Sequence, residues 1–502
     1  MSTTFRVPEQ MLTPAPGSLQ RVFSFPVVQA SLLVVLAIAT VRGRFDDPDM
    51  WWHMRMGEVM WTTHTVPTTD VFSYTTNHHA YVPHEWLPQI LIYAAYRWGG
   101  YCGLMLWLCI FTSAILIAGY ALCSIYSSNV KAGFLGALAI WVFGTSGFSI
   151  RTQMVGYLLL TVEMLVLQLG KTRSARWFLA LPPLFALWVN CHGSFFLGIV
   201  VALVFLLASY LTFHVGSLES RRWEPCRRRM LAAALLLSCM ALFLNPEGIQ
   251  AIGYPLNMMF VQSTATRVIS EWMPLAFNQG RGLALLGVLA VIFLLSAARR
   301  TPLFLHEILL LALGTWLAAS HRRMVFPFGI LAAPVLARVL SSVWDGYDSR
   351  QDRRWANAAC IAVSIMFAVL CFPGTQNLRA QVEEHSPVRA VEFIKGHRLQ
   401  GPMLNDFDDG GYLIWAAPEY PDFIDGRADV FDWTGVLAEF ERWITLQSPP
   451  QTLLDKYHVN FCLLERNSPM AEAMSLLPGW KLVYSDNRSA VFQRIPGPAS
   501  QS

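Results

Sequence analysis

The chain has 502 residues, of which 54% are hydrophobic and only 14% are charged, and its mean hydropathy is +0.41. Soluble globular proteins carry about 25% charged residues, so this composition excludes that class and indicates an integral membrane protein. The formal net charge of +4 gives no sign of a nucleic-acid partner, and none is expected.

Eleven apolar stretches are long enough to cross about 30 Å of hydrocarbon as helices. The sequence therefore predicts an α-helical polytopic membrane protein with about 11 transmembrane helices, preceded by a cytoplasmic segment, residues 1–25. The cysteines lie mostly in the apolar stretches, so no disulfide framework is expected. The predicted spans are 26–42, 101–122, 131–149, 153–169, 176–191, 194–214, 230–245, 282–297, 303–319, 323–341 and 355–372.

Positively charged residues predict the orientation of these helices. With the N-terminus on the cytoplasmic side, the inner loops hold sixteen lysines and arginines, and the outer loops hold nine. Because cytoplasmic loops of membrane proteins are enriched in positive charge, the chain is predicted to start inside. After eleven crossings, the segment that follows residue 373 then lies outside the cytoplasm.

A long outer loop, residues 43–100, follows the first span and contains FDDPDMWWHMRMGE (45–58). Asp47 stands before Pro48, the usual order of a helix N-cap and the first helical position, so a helix is predicted to begin here. Its tryptophans are expected to lie at the depth of the lipid headgroups, where tryptophan is enriched. A second helix is predicted near HEWLPQILIYAAY (84–96).

The three acids Asp46, Asp47 and Asp49 admit two interpretations. In the structural one, they cap the helix, favour its positive N-terminal end or are simply solvated. In the functional one, a carboxylate acts as general base for an acceptor hydroxyl or binds a divalent cation such as Mg or Mn. One acid can cap the helix while its neighbour reacts, so both interpretations stay open.

Histidines cluster in the same loop, with His84 directly before Glu85. No spacing matches a zinc signature and no cysteine lies nearby, so a zinc site is not favoured. Polar contacts to a sugar, or solvation at the interface, are the preferred interpretations of His53, His84 and Glu85. His192, in the turn NCHGS (190–194), is a further candidate for the polar lining of a substrate site.

Three arginines lie at the outer ends of predicted spans, although positive charge is enriched on the cytoplasmic side: Arg151 in FSIRTQM, and Arg322 with Arg323 in ASHRRMVF. Snorkelling of long side chains to the interface is one explanation. The alternative is a phosphate-binding site, since guanidinium offers a planar fork of donors to phosphate oxygens. A lipid-linked phosphate would arrive at this depth of the membrane.

Residues 374–502 mix polar and apolar residues as soluble domains do, and they predict a small extracytoplasmic α/β domain. Two aspartate-rich stretches, NDFDDGGYLIW (405–415) and FIDGRADVFD (423–432), suggest turns, or acceptor recognition at the carboxyl ends of strands. The predicted helices are 387–395, 436–446 and 469–476, and the predicted strands are 402–405, 421–425, 459–464, 481–485 and 489–494.

These features resemble the membrane-embedded type C glycosyltransferases, a superfamily that includes the protein O-mannosyltransferases. The resemblance lies in an acidic motif that opens a helix of the first outer loop, a transmembrane domain of many spans (26–373) and an extracytoplasmic C-terminal domain. A closer similarity, over most of the chain, is to bacterial multi-pass membrane proteins with a DPD-x-WWH first-loop motif. The shared segments are DDPDMWWHMRMGE, VPTTDVFSYT, HEWLPQ, NCHGSF, NPEG, SEWMP and FIDGRAD.

The resemblance implies that a sugar leaves a polyprenyl-phosphate donor outside the cytoplasm and passes to a hydroxyl of a glycan, lipid or protein acceptor. It implies a first-loop acid as base, which corresponds to Asp47 or Asp49, with Asp46 less favoured. Characterised mannosyltransferases carry an Asp-Glu pair where this chain has Asp-Asp-Pro-Asp, which leaves the choice open. Some members use a divalent metal and others do not. The expected location is the bacterial inner membrane.

Two other functions stay open: a transporter or flippase of a lipid-linked glycan, and a non-catalytic scaffold of envelope glycan assembly. A transporter should carry intramembrane charges in paired half-repeats, whereas Glu163 is the only carboxylate well inside a predicted span. Replacing Asp47 and Asp49 with asparagine is expected to abolish the activity of an enzyme, and to be tolerated by a transporter or a scaffold.

Overall fold

The computed structural model describes residues 22–260 and 263–495. Helices dominate it and agree with most of the predicted apolar stretches. Within the described residues, five helices are long and apolar enough to cross a membrane, and four shorter apolar helices of 10–17 residues accompany them. The chain is therefore a multi-pass membrane protein, while the number of eleven crossings stays a prediction.

The helices up to residue 371 are numbered here in chain order. They are α1 (Phe25–Val41), α2 (Asp49–Thr63), α3 (Trp86–Ser127), α4 (Val130–Gly144), α5 (Gln153–Thr172), α6 (Leu181–Trp188), α7 (Phe195–Ala208), α8 (Pro225–Ala241), α9 (Ile249–Phe260), α10 (Ser263–Val268), α11 (Gly280–Arg299), α12 (Leu305–Ser320), α13 (Val325–Leu340) and α14 (Arg354–Cys371). Short 3-10 helices lie at Ala175–Ala180, Ser270–Trp272, Arg322–Met324 and Ser349–Gln351.

The longest helix, α3, packs against α2, α4, α5 and α13. It joins two elements predicted separately, the second helix of the outer loop and the second span. The two parts meet at Gly100, whose φ of 55° and ψ of −141° interrupt the helical path. A positive φ of this kind favours glycine, which has no Cβ to clash.

The fifth predicted span, 176–191, is not one continuous helix. It consists of the 3-10 helix Ala175–Ala180 followed by α6, which has only eight residues. Prolines stand in the first turn of α6, where they are tolerated because the first N–H groups of a helix have no partner within it. Nearby, β1 (Phe213–Val215) and β2 (Leu218–Ser220) pair antiparallel, and β3 (Leu303–Phe304) pairs parallel with β2.

The C-terminal region forms the predicted small α/β domain. The three predicted helices and four of the five predicted strands are present, but 421–425 is not a strand, because only Asp422 forms an isolated bridge, with Ser73. The sheet has the order β4-β5-β7-β6, with β4 and β5 parallel. The elements are α15 (Thr375–His385), α16 (Val388–His397), β4 (Met403–Asn405), α17 (Phe407–Ala416), α18 (Ala428–Thr434), α19 (Val436–Ile444), α20 (Pro450–Lys456), β5 (Phe461–Glu465), α21 (Pro469–Leu476), β6 (Trp480–Ser485) and β7 (Ser489–Arg494).

This domain packs directly on α2 of the first outer loop. The ring of Trp51 meets Tyr412 of α17 edge-on, with centroids 5.0 Å apart. The backbone passes so close that a Cβ on Gly411 would lie 2.5 Å from the carbonyl oxygen of Pro48. Four side chains of α2 are buried inside the protein and so do not face lipid, while their depth in the membrane stays a prediction: Trp51, Trp52, Met54 and Met60.

Candidate active site

The centre of the site is Arg151, in the loop between α4 and α5. Its Nε donates to Asp47 Oδ2 at 2.6 Å, and its Nη1 lies 3.2 Å from Asp49 Oδ2 and 3.1 Å from Glu271 Oε1. The first outer loop, the α4–α5 loop and the 3-10 helix Ser270–Trp272 therefore meet at one guanidinium. Three carboxylates around one cation leave a net negative charge at this point.

The aspartates of the motif differ in what they bind. Asp47 is buried, and its Oδ1 accepts the backbone N–H of Asp49 at 3.0 Å while its Oδ2 accepts from Arg151. Asp47 thus caps α2, as its position before proline predicts, although the helix begins one residue later than expected. Asp46 is exposed and lies 3.6 Å from Arg44, outside the group.

Asp49 has the properties of a general base. Its side chain is 18% exposed, so an acceptor can reach it. Burial raises the pKa of its carboxyl to about 7; Arg151 opposes this shift, and the charges of Asp47 and Glu271 add to it. A base whose pKa lies near the working pH is the most effective, because it is ionised yet still binds a proton well.

The C-terminal domain touches this carboxylate through Gly426 of the FIDGRAD segment. A Cβ on Gly426 would lie 1.9 Å from Asp49 Oδ1 and 3.1 Å from Trp52 Nε1. Only glycine lets the backbone of the C-terminal domain come this close to the side chain of Asp49. The domain therefore forms one wall of the site.

A second group lies next to the first and centres on Glu85, at the N-terminal end of α3. The Nε2 atoms of His84 and His192 lie 3.5 Å from Glu85 Oε1, and Nδ1 of His53 lies 3.9 Å from Glu85 Oε2. His53 follows Asp49 by one turn of α2. The Arg151 group and the Glu85 group are therefore linked through neighbouring residues of the same helix. The structure thus brings together the four residues predicted as polar lining.

The protonation of this group follows from its surroundings. Burial opposes the charge on Glu85, but His84, His53 and His192 together hold its pKa well below the ordinary value. Burial lowers the pKa of His53 and of His192 to about 4. Burial also works against the charge of His84, yet its contacts with Glu85 and the Val82 carbonyl raise its pKa. Glu85 is therefore ionised, its contacts favour the protonated form of His84, and His53 and His192 are neutral near pH 7.

A cavity of about 670 Å³ opens beside the carboxylates, and Glu271 belongs both to its lining and to the Arg151 group. Arg322 and Arg323 line it as well. Nη2 of Arg323 donates to Gln153 Oε1 at 3.1 Å, and its guanidinium lies 4.5 Å from the centre of the Trp272 ring. Arg281 adds a third guanidinium, close enough to Arg322 for their charges to repel. The cavity is thus a cationic space next to the candidate base.

Solved structures share this architecture. The chain matches an oligosaccharyltransferase from Archaeoglobus fulgidus tethered with an acceptor peptide, with a TM-score of 0.53 and 14% identity, over 93% of this chain and 74% of that one. AglB from the same organism, in complex with an inhibitory peptide and a dolichol-phosphate, matches with a TM-score of 0.51 and 12% identity, over 87% and 69%. ArnT from Cupriavidus metallidurans, bound to undecaprenyl phosphate, matches with a TM-score of 0.53 and 14% identity, over 94% and 98%. No protein-family profile matches the sequence, and no curated protein does.

The chain has the fold of the type C glycosyltransferases. The resemblance that the first-loop motif suggested is thereby confirmed for the architecture. Because the match extends over 98% of ArnT and 94% of this chain, the type C fold here includes the C-terminal α/β domain.

The resemblance to type C glycosyltransferases left a divalent metal open, and the carboxylates around Arg151 are the oxygen ligands that such an ion would need. Across residues 22–260 and 263–495, no group of three or more His, Cys, Asp or Glu side chains is arranged to hold a metal ion. The guanidinium of Arg151 itself lies among Asp47, Asp49 and Glu271. The space among these carboxylates is taken by the Arg151 guanidinium, so they do not fit a bound cation in this arrangement.

Some features of the site were not predicted from the sequence. Glu271 lies in the recognised SEWMP segment, but nothing local shows that it meets Arg151, 120 residues earlier. The stretch FIDGRADVFD suggested either turns or acceptor recognition, and two of its residues, Asp425 and Arg427, are buried in the structure. Arg427 pairs both with Asp425 and with Asp70 of the first outer loop, and so attaches the C-terminal domain to that loop.

Proposed function

We propose that the protein is a membrane glycosyltransferase that moves a sugar from a polyprenyl-phosphate donor to an acceptor hydroxyl outside the cytoplasm. The observation that carries this proposal is the reachable Asp49 carboxylate, of raised pKa, beside an arginine-lined cavity. The solved neighbours that bind dolichol-phosphate and undecaprenyl phosphate support the choice of donor. The membrane is the bacterial inner membrane, with the N-terminus inside and the C-terminal domain outside.

The cavity is assigned to the donor. Arg322, Arg323 and Arg281 hold the phosphate that links the sugar to the lipid. When the sugar leaves, this phosphate gains negative charge, and fixed guanidinium groups stabilise that charge without having to reorganise. The leaving group therefore needs little help from an acid, in contrast to the acceptor hydroxyl, which needs a base.

Asp49 is assigned to the acceptor. Its carboxylate takes the hydroxyl proton while the acceptor oxygen forms a bond to the anomeric carbon of the sugar, and the bond from that carbon to the phosphate oxygen breaks. The products are the glycosylated acceptor, protonated Asp49 and polyprenyl phosphate on the arginines. A single displacement of this kind inverts the anomeric configuration. Arg151, whose guanidinium is engaged by carboxylates, positions Asp49 rather than binding phosphate.

The Glu85 group is assigned to the acceptor side of Asp49. Ionised Glu85, its neighbour His84 and the neutral rings of His53 and His192 supply donors and acceptors of hydrogen bonds one turn of α2 beyond the base. A hydroxyl-rich acceptor suits such a mixed lining. Tyr254, whose ring stacks on His84 at 3.7 Å, adds an apolar face of the kind on which sugars pack.

Replacing Arg322 and Arg323 together with glutamine is expected to raise the KM for the donor by about tenfold or more, because each charge-assisted bond to phosphate is worth about 1.5–3 kcal/mol. Arg97→Gln is the matched control, since Arg97 is exposed on α3 and does not line the cavity. The measurement is the dependence of sugar transfer on donor concentration. An unchanged KM in the double variant would contradict the assignment of the donor phosphate to this cavity.

Replacing Gly426 with alanine is expected to lower sugar transfer by about ten- to a hundredfold, because the new Cβ displaces the Asp49 carboxylate from its working position. Gly396→Ala, on α16 of the same domain, is the control, since an added Cβ there meets no atom within 4 Å. Equal rates for the two purified variants would show that the C-terminal domain does not help to position the base.

A further inference from the structure

A second cavity, of about 370 Å³, lies at the other end of α5 from Arg151. Gln153 begins α5 beside the active site and Lys171 lies next to its last residue, so roughly 27 Å of helix separates the two cavities. The cavity is built by the C-terminal ends of α5 and α7, by β2 and the residues that follow it, by the start of α8, and by β3 with the start of α12. Side chains from four separate stretches of the chain converge on it.

Cations outnumber acids around this cavity. The acids are Glu219, which pairs with Arg221, and Glu224, which lies 3.5 Å from Arg227. Two further cations in the lining, Lys171 and Arg222, form no ion pair with any carboxylate of the described residues. The lining therefore carries uncompensated positive charge.

Lys171 is held in position by uncharged groups. Its Nζ lies 3.1 Å from His306 Nε2 and 4.9 Å from the centre of the Phe304 ring. His306 is buried and also meets the Tyr126 hydroxyl at 3.0 Å. The nearby carboxylate of Glu307 is already bonded to Arg338, so the Lys171 ammonium remains available to an anionic ligand in the cavity.

We propose that this cavity binds the phosphate group of an anionic phospholipid. Guanidinium and ammonium groups bind phosphate oxygens, and basic pockets between helices on the cytoplasmic side of membrane proteins bind anionic headgroups. The orientation given above places this end of the bundle at the cytoplasmic leaflet. Trp223 lines the cavity too, and tryptophan prefers this depth. The proposal does not depend on sugar transfer, which takes place at the other end of α5.

The experiment is native mass spectrometry of the full-length protein in detergent, with phosphatidylglycerol, phosphatidylcholine and inorganic phosphate as probes. The wild type is expected to retain one phosphatidylglycerol in preference to phosphatidylcholine. Lys171→Gln and Arg222→Gln are each expected to weaken that binding by about fivefold. Arg350→Gln, an exposed arginine of another loop that does not line the cavity, is the control and is expected to bind like the wild type.

The outcomes separate the possible ligands. Arg222 is exposed, so Arg222→Gln keeps the test decisive if Lys171→Gln does not fold. Displacement of phosphatidylglycerol by millimolar inorganic phosphate would support a phosphate-binding site. If the protein bound inorganic phosphate but did not prefer one lipid over the other, the claim that the bound phosphate belongs to a phospholipid would be overturned. Equal lipid affinity of the wild type and Arg222→Gln would overturn the site itself.

Discussion

Asp49→Asn is expected to reduce sugar transfer by about 10²- to 10⁴-fold, the usual contribution of a general base. Asparagine keeps the shape of the side chain but cannot take the proton of the acceptor hydroxyl. The fold should survive the change, because Asp47 rather than Asp49 caps α2. The measurement is the initial rate of transfer by the purified variant in nanodiscs, with its thermal unfolding recorded in parallel.

Asp46→Asn is the matched control, since it makes the same chemical change in the same motif at an exposed residue, and a rate near that of the wild type is expected. The wild-type rate should be constant above about pH 7 and fall roughly tenfold per unit below it, because burial raises the pKa of Asp49 to about 7 and only the ionised base reacts. Glu271→Gln removes a charge that raises this pKa, so the midpoint should move to lower pH. A full rate in Asp49→Asn would contradict the assignment.

Arg427→Met is expected to destabilise the protein by about 3–5 kcal/mol, the usual cost of leaving buried charges without their partner. The Arg427 side chain is enclosed: Nη1 lies 2.5 Å from Asp70 Oδ1, Nη2 lies 2.5 Å from Asp425 Oδ2, and Nη2 donates to Ser73 Oγ at 3.0 Å. Without the guanidinium, two buried carboxylates would repel each other where the C-terminal domain meets the first outer loop. Thermal unfolding in detergent is the measurement, and limited proteolysis should show a loosened C-terminal domain.

Arg442→Met is the control for this variant, because Arg442 is an exposed arginine of the same domain and its loss should cost less than about 0.5 kcal/mol. Adding Asp70→Asn to Arg427→Met should restore part of the lost stability, since it removes one of the stranded charges. Unfolding of Arg427→Met at the same temperature as Arg442→Met would show that the cluster does not attach the domain.

Local patterns predicted the elements whose cause is local. The order Asp47, Pro48 predicted the start of α2 to within one residue, because a cap and its proline act within a single turn. Short strand-like runs predicted β5, β6 and β7 in the C-terminal domain. β5 and β7 are buried along most of their length, whereas in β6 only Trp480 is buried. The resemblance of the first loop to type C glycosyltransferases then predicted the architecture.

The features that the sequence did not predict depend on packing between residues far apart in the chain. The segment DDGG in α17 resembles a turn, yet it is helical. Glycine is needed at position 411 because a Cβ there would lie 2.5 Å from the carbonyl oxygen of Pro48. Trp51 suits a lipid interface and a domain interface equally well by composition, and only the fold shows that Tyr412 covers it. Arg151 and Asp47 are 104 residues apart, so their contact has no sequence signature.

The same reasoning applies to the charges. For Arg151 the sequence left two interpretations open, snorkelling to the interface and phosphate binding through the planar fork of guanidinium donors. The structure gives it three carboxylates and leaves Arg322 and Arg323 on the cavity wall. Which cation meets which anion depends on tertiary structure, so residue type alone selected several residues of this group but not the contacts between them.

The most direct test of the proposed activity is turnover of lipid-linked sugars by the purified protein. The protein in nanodiscs is given a panel of radiolabelled undecaprenyl-phosphate sugars together with cell-envelope acceptors, and both the freed undecaprenyl phosphate and the labelled product are measured. At least one donor is predicted to be consumed, with an inverted anomeric configuration in the product and conversion by Asp49→Asn lowered by about 10²- to 10⁴-fold. Correctly folded wild-type protein that bound none of the panel and converted none of it would contradict a glycosyltransferase and favour a transporter or a scaffold.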